Sequence, residues 1–467
     1  MHALSADAEG ARETLINLLV LAGLAPATAD RAELTGTAPL LASSFHVGVA
    51  AQASIAGAAL AATEFDRQRG STSRAVQVDM HDAERECTGF FQLDDTLPAT
   101  WAPLSGLYAC QDGHVRIHAN FDHHRDGALE LLGLRGPADN YDKRDVSAAL
   151  EKWSAFEFEQ VAAERGLVVA AARSFAEWDA QPHARAAALL PLFNIERIGD
   201  ATPIERSPGA WPLSGIRVLD LTRILAGPVC GRTLANYGAE VLLINGPHLP
   251  NIDAIADTSR GKRSAHIDLR DSSGRAALQT LTSSADVFVQ GYRPGGLAAR
   301  GFGPSALAAL HPGIVVVSLT AYGALGPWSG WRGFDSLVQT ATGFNYAEGE
   351  AAGRDRPRAL PVQMLDYGAG FLMAFAAQVA LLRQLQEGGS WHVQVSLLQV
   401  ANWLRALGRC EANFEQPRPD LASWSTVTDS GFGRLRSMPH AARIDGIDPP
   451  LSPSFPPGTH APLWLNP

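Results

Sequence analysis

Residues 216–244 read IRVLDLTRILAGPVCGRTLANYGAEVLLI. Two short apolar runs, 216–221 and 240–244, flank a segment at 226–237 that has the length and composition of a helix. A strand, a helix and a second strand in this order indicate a βαβ unit, in which the two strands lie parallel. The segment therefore predicts a parallel sheet with helices packed against it.

The same alternation continues towards the C-terminus. Short strands separated by helices are typical of a doubly wound parallel sheet, which binds ligands at the carboxyl ends of its strands. We therefore predict an α/β fold with a Rossmann-like domain over residues 213–410. Its further elements are expected to be strands at 266–269, 286–289 and 314–319 and helices at 271–283 and 304–310.

Three further regions flank this domain. We predict that residues 1–100 are mainly helical and that residues 101–205 form a small α+β domain, which begins with a hairpin at 111–113. A linker rich in Pro and Gly spans 206–212. Residues 411–467 are rich in Pro, Gly, Ser and Arg, so we expect an extended C-terminal tail.

The composition limits the possible classes of protein. In 467 residues the apolar content is 46% and the charged content is 18%, which fits a globular protein of two or three domains. The formal net charge of −10 argues against nucleic-acid binding, because such proteins normally carry a basic excess. An anionic ligand must therefore meet a local cluster of cations.

Membrane insertion and secretion are not expected either. The apolar run at 15–24 is short, and the Ala- and Gly-rich run at 46–63 is interpreted as a packed core helix. The four cysteines are far apart and show no Cys-x-x-Cys spacing, which argues against a disulfide framework and structural zinc. These features predict a protein of the reducing cytoplasm.

A short internal repeat relates the two ends of the chain. Residues 60–82 and 381–398 each show the end of a helix, a polar turn with glycine, and a Val-Gln-Val strand that runs into a helix. Only the second copy has an aspartate, Asp366, before its first helix, whereas the first copy reads SSFHVG at 43–48. If the repeat is real, only the second copy can carry an aspartyl nucleophile.

Asp366 ends the stretch PVQMLD at 361–366 and precedes a run of small and apolar residues at 367–382. That run predicts a buried helix with Asp366 as its N-cap. Backbone N–H groups and the helix dipole favour an ionised carboxylate at a helix N-terminus. A structural cap is enough to explain this segment alone, but a positioned, ionised carboxylate is also what nucleophilic acyl transfer needs.

From Leu213 onward the chain resembles the family III CoA-transferases, the superfamily of formyl-CoA transferase, carnitine CoA-transferase and α-methylacyl-CoA racemase. The matching motifs occur in the family's order and at about its spacing. They are LSGIRVLDLTRILAGP (213–228), YGAEV (237–241), GKRS (261–264), ADV (285–287), YRPG (292–295), AYG (321–323), GP (326–327), GFD (333–335) and Asp366. A weaker match over 45–210 looks like the family's later half, so the order of the two halves is rearranged.

The resemblance implies a CoA-transferase in which Asp366 is the catalytic nucleophile. In such enzymes the aspartate attacks the thioester of an acyl-CoA donor, CoA returns to give an aspartyl-CoA thioester, and an acceptor carboxylic acid takes over the reverse sequence. CoA or acyl-CoA is a substrate in this scheme, and no metal or permanently bound cofactor is implied. Family members are interlocked dimers, so a homodimer is expected, although the two halves of this chain could replace part of that ring.

The phosphates of CoA need local cations in an acidic protein. The strand at 240–245 departs from the family's pattern, which ends in Lys-Val-Glu, so the adenine and ribose contacts stay open. The residues that the resemblance assigns to CoA binding are Arg223, Ala226, Gly227 and Pro228 at the first strand–helix turn, the pair Lys262 and Arg263, and Arg293.

Other classes of protein fit the sequence less well than a CoA-transferase. A racemase of this superfamily uses a His-Asp pair, but Phe334 stands at the position of that histidine and cannot take up a proton. A nicotinamide dehydrogenase needs Gly-x-Gly-x-x-Gly after the first strand, which 222–231 lacks. A non-catalytic CoA-binding protein stays open. A polar loop after a hairpin explains the histidines that would otherwise suggest a metal site, namely His114, His118, His123 and His124.

Overall fold

The computed structural model describes residues 6–36, 39–447 and 453–465. Its α-helices are α1 (Ala6–Leu21), α2 (Val47–Gln68), α3 (Met80–Cys87), α4 (Asp122–Leu131), α5 (Lys143–Leu150), α6 (Ala155–Glu164), α7 (Phe175–Asp179), α8 (Pro182–Ala187), α9 (Ala226–Asn236), α10 (Ile255–Thr258), α11 (Ser272–Thr282), α12 (Pro304–Leu310), α13 (Asp335–Ala341), α14 (Phe344–Ala351), α15 (Met364–Glu387) and α16 (Leu397–Ala406). Its strands are β1 (Ala32–Thr35), β2 (Val76–Asp79), β3 (Phe91–Leu93), β4 (Gly106–Ala109), β5 (His114–Ile117), β6 (Val169–Ala171), β7 (Phe193–Gly199), β8 (Arg217–Leu221), β9 (Glu240–Asn245), β10 (Lys262–His266), β11 (Val287–Gln290), β12 (Val315–Thr320), β13 (Ser390–Ser396), β14 (Thr426–Ser430), β15 (Gly433–Ser437) and β16 (Ala442–Ile444).

A seven-stranded sheet organises the second half of the chain. Its strand order is β10-β9-β8-β11-β12-β13-β7, and all neighbours are parallel except β7, which is antiparallel to β13. The chain runs from β8 outward to β10 and then crosses back to β11, so the strand order reverses beside β8. The predicted α/β class with a parallel sheet is confirmed, and the reversal gives the sheet its doubly wound topology.

Apolar side chains cover both faces of this sheet. On one face Val218 and Val229 belong to the main core, which also contains the apolar residues of α15. On the other face Leu219, Leu278 and Leu307 form a second core with α11 and α12. Because strand side chains alternate between faces, the neighbours Val218 and Leu219 enter different cores. Burial on both sides explains why these strands are continuous apolar runs in the sequence.

Two predicted boundaries are wrong. The strand expected at 266–269 is β10, Lys262–His266, which pairs in register with the apolar strand β9. Its Lys-Arg-Ser sequence contains no apolar run from which a strand could be recognised. Helix α15 begins at Met364 after the N-cap Gln363, so Asp366 is the third helical residue and not the N-cap.

Two long apolar helices, α2 and α15, pack against each other in the main core. Both are long and apolar enough to cross a membrane, but their apolar stretches are 100% and 94% buried inside the protein. The side chain of Gln378 on α15 donates a hydrogen bond to the carbonyl oxygen of Ala58 on α2 at 3.0 Å. Each helix is followed by a strand and a helix, β2–α3 and β13–α16, so both copies of the repeat have the same order of elements.

The remaining strands form three small sheets. Strands β4, β5 and β6 form an antiparallel sheet within residues 101–205, and β4 and β5 are the predicted hairpin. The C-terminal region is more regular than the extended tail that we expected. Its strands β14 and β15 pair with each other and with β3, while β16 pairs with β2. The end of the chain therefore completes two sheets that begin near its start.

A buried ionic network joins distant segments of the chain. Arg232 on α9 is 1% exposed and donates hydrogen bonds to Glu86 of α3 at 3.0 Å and to Asp257 of α10. His440, which follows β15, lies 3.0 Å from the same Glu86. Burial acts to raise the pKa of Glu86, but the charges of His440 and Arg232 lower it to about 2. The network thus fixes α9 against the N-terminal and C-terminal segments.

We expect Arg232→Leu to lower the free energy of unfolding by about 3–5 kcal/mol, because two buried carboxylates would each lose a charged hydrogen-bond donor. The control is Arg405→Leu, which removes an ion pair with Asp179 at the surface and should cost at most about 1 kcal/mol. Urea unfolding compares the two variants. Equal and small losses for both would contradict a structural role for Arg232.

Candidate active site

A cavity of about 470 Å³ opens at the carboxyl ends of the parallel strands. Its walls come mainly from the segments that follow β8, β9, β10, β11 and β12. This is the edge at which doubly wound sheets bind ligands, and the volume lies within the roughly 300–1,000 Å³ of small-molecule sites. Phe121, His123 and His124 of the small domain also line the cavity, which therefore lies between two parts of the chain.

Asp366 is the only carboxylate among the described residues that line this cavity, and it is 8% exposed. The close packing of α15 on α9 places it there. A Cβ atom on Gly370 would lie 2.6 Å from the carbonyl oxygen of Ala226, so glycine is needed for this approach. Gly370 thus faces α9, and Gly368 faces Val400 of α16.

A second carboxylate, Asp335, lies directly beside Asp366. The backbone N–H of Asp366 donates a hydrogen bond to Oδ2 of Asp335 at 3.0 Å, and the amide of Gln339 donates to the other oxygen. Burial raises the pKa of Asp335 to about 7. Burial, followed by the negative charge of Asp335, raises the pKa of Asp366 well above its usual range. Our expectation that the helix N-terminus keeps Asp366 ionised is therefore wrong, because desolvation and a like charge oppose it.

Phe334, which precedes Asp335, packs against aromatic and imidazole rings. Phe334 stacks on His118 with ring centroids 4.0 Å apart, and His124 lies 6.3 Å from the same ring. Burial lowers the pKa of His118 and of His124 to about 3, so both imidazoles are neutral at pH 7. The sequence attributed these histidines to a polar loop. No local pattern could place His124 at the cavity, because it meets Arg332 there, which lies 208 positions later in the chain.

The described residues that line the cavity include five arginines, which are Arg223, Arg270, Arg293, Arg300 and Arg332. The sequence singled out Arg223 and Arg293. It missed the other three because they follow different strands and form no cluster in the chain. Arg223 donates a hydrogen bond to the carbonyl oxygen of Pro250 and lies 5.4 Å from the centre of the Phe121 ring. An anionic ligand would meet a strongly cationic surface on a protein that is acidic overall.

Lys262 and Arg263 do not line this cavity. Lys262 is 1% exposed, and its Nζ donates hydrogen bonds to Asp220 and to the carbonyl oxygen of Pro228, each at 2.7 Å. Arg263 lies on the opposite face of β10 and donates to the carbonyl oxygen of Leu463 at 2.5 Å. The predicted contact of this pair with CoA phosphates therefore does not agree with the geometry, and Lys262 is a buried structural cation.

The turn between β8 and α9 contains the other predicted residues. Ala226 lines the cavity, whereas Gly227 and Pro228 lie in the first turn of α9 and are buried. A Cβ atom on Gly227 would lie 2.4 Å from the Cβ of Thr222. Ile224 has a φ of 77°, a conformation that β-branched residues rarely adopt. These constraints produce a tight turn that holds the start of α9 next to the cavity.

A metal site is not formed by the described residues. No group of three or more His, Cys, Asp or Glu side chains in residues 6–36, 39–447 and 453–465 is arranged to hold a metal ion.

Comparison with known proteins confirms the resemblance. Residues 213–420 match CoA-transferase family III. An acyl-CoA transferase of Gibberella moniliformis is 30% identical over 352 residues, which cover 72% of this chain and 58% of that protein. A succinate–glutarate CoA-transferase of Agrobacterium fabrum is 32% identical over 249 residues, which cover 47% of this chain and 62% of that protein.

One solved relative is the protein Rv3272 of Mycobacterium tuberculosis. It is 34% identical, and the superposition covers 42% of this chain and 56% of that chain with a TM-score of 0.40. The chain spans less than two thirds of the length of each of these relatives.

The carboxyl pair should make the stability of the protein fall as pH rises. Above the ordinary aspartate pKa of 3.8, the unfolded chain releases protons that the folded protein keeps until the pH passes about 7. In that range the free energy of unfolding should fall by up to about 1.4 kcal/mol per pH unit for each proton that the folded protein retains and the unfolded chain has released. Asp335→Asn should flatten this decline in urea-unfolding curves.

The exposed Asp139 supplies a control for this experiment, because Asp139→Asn removes a carboxylate that is not part of the pair. This variant should follow the wild-type curve. If Asp335→Asn and the wild type depend on pH in the same way, the raised pKa of the pair is wrong.

Proposed function

We propose that this protein is a CoA-transferase that moves CoA from an acyl-CoA donor to a carboxylic acid, with Asp366 as the nucleophile. The strongest support is the position of Asp366, a carboxyl on the wall of a cationic cavity at the ligand-binding edge of the sheet. The relatives named acyl-CoA transferase and succinate–glutarate CoA-transferase support the same class of reaction. We further propose a homodimer in the cytoplasm.

The proposed reaction exchanges acyl bonds in sequence. An Oδ atom of Asp366 forms a bond to the thioester carbonyl carbon and the C–S bond breaks, which gives an acyl-aspartyl anhydride and the CoA thiolate. The thiolate then attacks Cγ of Asp366, and the donor acid leaves as a carboxylate. The acceptor carboxylate attacks the aspartyl-CoA thioester, and the same steps in reverse order release the new acyl-CoA.

Asp335 controls the protonation of Asp366 in the proposed reaction. Two adjacent buried carboxylates resist double ionisation. Both oxygens of Asp335 accept hydrogen bonds, which favour its anionic form, so in the free protein the proton of the pair lies on Asp366. Asp366 must therefore release this proton before it attacks, and once it is acylated it has no charge and no longer repels Asp335.

Arginines provide the proposed contacts with the phosphates of CoA. The guanidinium group can donate paired hydrogen bonds to phosphate oxygens, and it stays charged at neutral pH. Arg293 is exposed at the cavity, where a polyanion could approach it from solvent. The arginines thus compensate for an overall negative charge that would otherwise repel CoA.

Asp366→Asn should lower the rate of CoA exchange by about 10⁴-fold or more, because the amide cannot replace the nucleophilic carboxylate. The protein is incubated with an acyl-CoA and hydroxylamine, and the modified peptide is identified by mass spectrometry. The control is Asp145→Asn, since Asp145 is also the third residue of a helix but is exposed. Modification at another residue, or none with any donor, would refute the proposed nucleophile.

Arg293→Gln should weaken CoA binding roughly tenfold, because a charge-assisted hydrogen bond to phosphate is lost. Added salt should weaken binding to the wild type more than binding to this variant. Isothermal titration calorimetry with CoA measures both effects, and the exposed Arg144→Gln is the control. Unchanged affinity in Arg293→Gln would place the phosphates elsewhere.

Acyl-CoA racemisation is the second candidate, because the imidazole of His124 lines the same cavity as Asp366. Two bases are needed to remove and return the α-proton. The pKa of about 3 makes His124 a weak base, which favours transfer over racemisation. Incubation of a 2-methylacyl-CoA in deuterium oxide distinguishes the two activities. Deuterium at the α-carbon without CoA exchange would support the racemase.

A further inference from the structure

A second cavity of about 210 Å³ adjoins the first. Arg293, Pro294, Leu297 and Thr320 line both cavities, so the segment that follows β11 forms a shared wall. Asp366 lines the first cavity and not the second. The volume is below the roughly 300–1,000 Å³ of sites for drug-sized ligands, so the second cavity suits a short chain.

Polar side chains from three neighbouring strands meet at this second cavity. Ser318 on β12 lies opposite Gln394 on β13, and Gln394 lies opposite Asn194 on β7. His392 precedes Gln394 by two residues and therefore lies on the same face of β13. All four side chains line the cavity. Their positions are set by the register of the sheet and not by a loop.

The hydrogen bonds among these four side chains run in one direction, from β7 through β13 to β12. The amide nitrogen of Asn194 donates to Oε1 of Gln394 at 3.3 Å, which directs Nε2 of Gln394 towards Nδ1 of His392, also at 3.3 Å. A neutral imidazole that accepts at Nδ1 carries its proton on Nε2. Nε2 of His392 therefore donates to Oγ of Ser318 at 2.9 Å. The hydroxyl proton of Ser318 has no acceptor within the described part of the chain and remains able to donate.

The hydroxyl group of Ser318 is an uncharged hydrogen-bond donor in the second cavity. Burial lowers the pKa of His392 to about 4, so the imidazole is neutral at pH 7. Arg293, at the shared wall, is the only arginine or lysine among the described residues that line this cavity. A buried neutral donor is best matched by an acceptor oxygen, since leaving it without a partner is unfavourable.

We propose that the second cavity binds the tail of the exchanged carboxylic acid and selects, through Ser318, acids that carry an acceptor oxygen on that tail. This inference rests on the proposed function. CoA must stay in the first cavity while one acid replaces the other, so the acids need a space that CoA does not fill. The second cavity provides such a space across the shared wall, and Ser318 provides the contact that distinguishes one acid from another.

The test compares acids of equal length with and without a keto oxygen. The pairs are levulinate with pentanoate, and acetoacetate with butanoate. For at least one pair the wild type should use the keto acid about tenfold more efficiently, judged by kcat/KM, because one hydrogen bond is gained. Ser318→Ala should abolish this preference, so that both acids of each pair are used with similar kcat/KM. Ser318→Cys, a weaker donor of similar size, should fall between the two.

Ser264→Ala is the matched control, because Ser264 is a buried strand serine of the same sheet that lines neither cavity. It should keep the wild-type preference. A preference that is absent in the wild type, or that survives in Ser318→Ala, would overturn the inference.

Hydroxylamine trapping with the acyl-CoA donor separates this inference from the proposed function. Asp366 should still be modified in Ser318→Ala. If Asp366 is trapped but Ser318→Ala keeps the wild-type preference for the keto acid, the inference fails and the transferase proposal stands. If Asp366 is never trapped, both fail. Loss of trapping in Ser318→Ala alone would show that Ser318 acts on the CoA half of the reaction, which also overturns the inference.

Discussion

The shape of the cavity depends on a buried ion pair between Lys262 and Asp220. Both side chains are 0% exposed, and Nζ of Lys262 lies 2.7 Å from Asp220. The same ammonium group donates to the Pro228 carbonyl oxygen, while Asp220 also accepts a hydrogen bond from the backbone N–H of Thr222 at 3.1 Å. A buried charge costs several kcal/mol unless it is paired, so β8, β10 and the start of α9 have one stable arrangement. Gly231 allows α9 to cover the pair, because a Cβ atom there would lie 2.2 Å from the Asp220 carboxylate.

The position of Asp366 depends on how the two halves of the chain pack. Helix α15 lies between α2, from the first half, and α9, from the second half. Gly370 permits the close contact between α15 and α9. The small domain then adds His124 to the cavity, so the site combines residues from both halves.

The sequence predicted the parts of the fold and site that local patterns determine. The apolar strands β8, β9, β11 and β12 were recognisable because each is buried on both faces. Strand β10 was not, since the burial of Lys262 depends on Asp220, which lies 42 positions away. Family motifs located Asp366, Arg223 and Arg293 at the cavity. The raised pKa of Asp366 was not predictable from its segment, because its causes are burial in the folded protein and the charge of Asp335, which lies 31 positions away.

The arginines of the cavity do not offset the influence of Asp335 on Asp366. A charge in direct contact within a buried site acts through a low effective dielectric, whereas exposed charges are screened by water and salt. Arg293 and Arg332 are exposed, and a bound polyanion would neutralise them further. The protonation of Asp366 is therefore governed by burial and by Asp335, and not by the arginines. In the proposed reaction the arginines attract the phosphates of CoA, while the adjacent carboxyl controls the charge of Asp366.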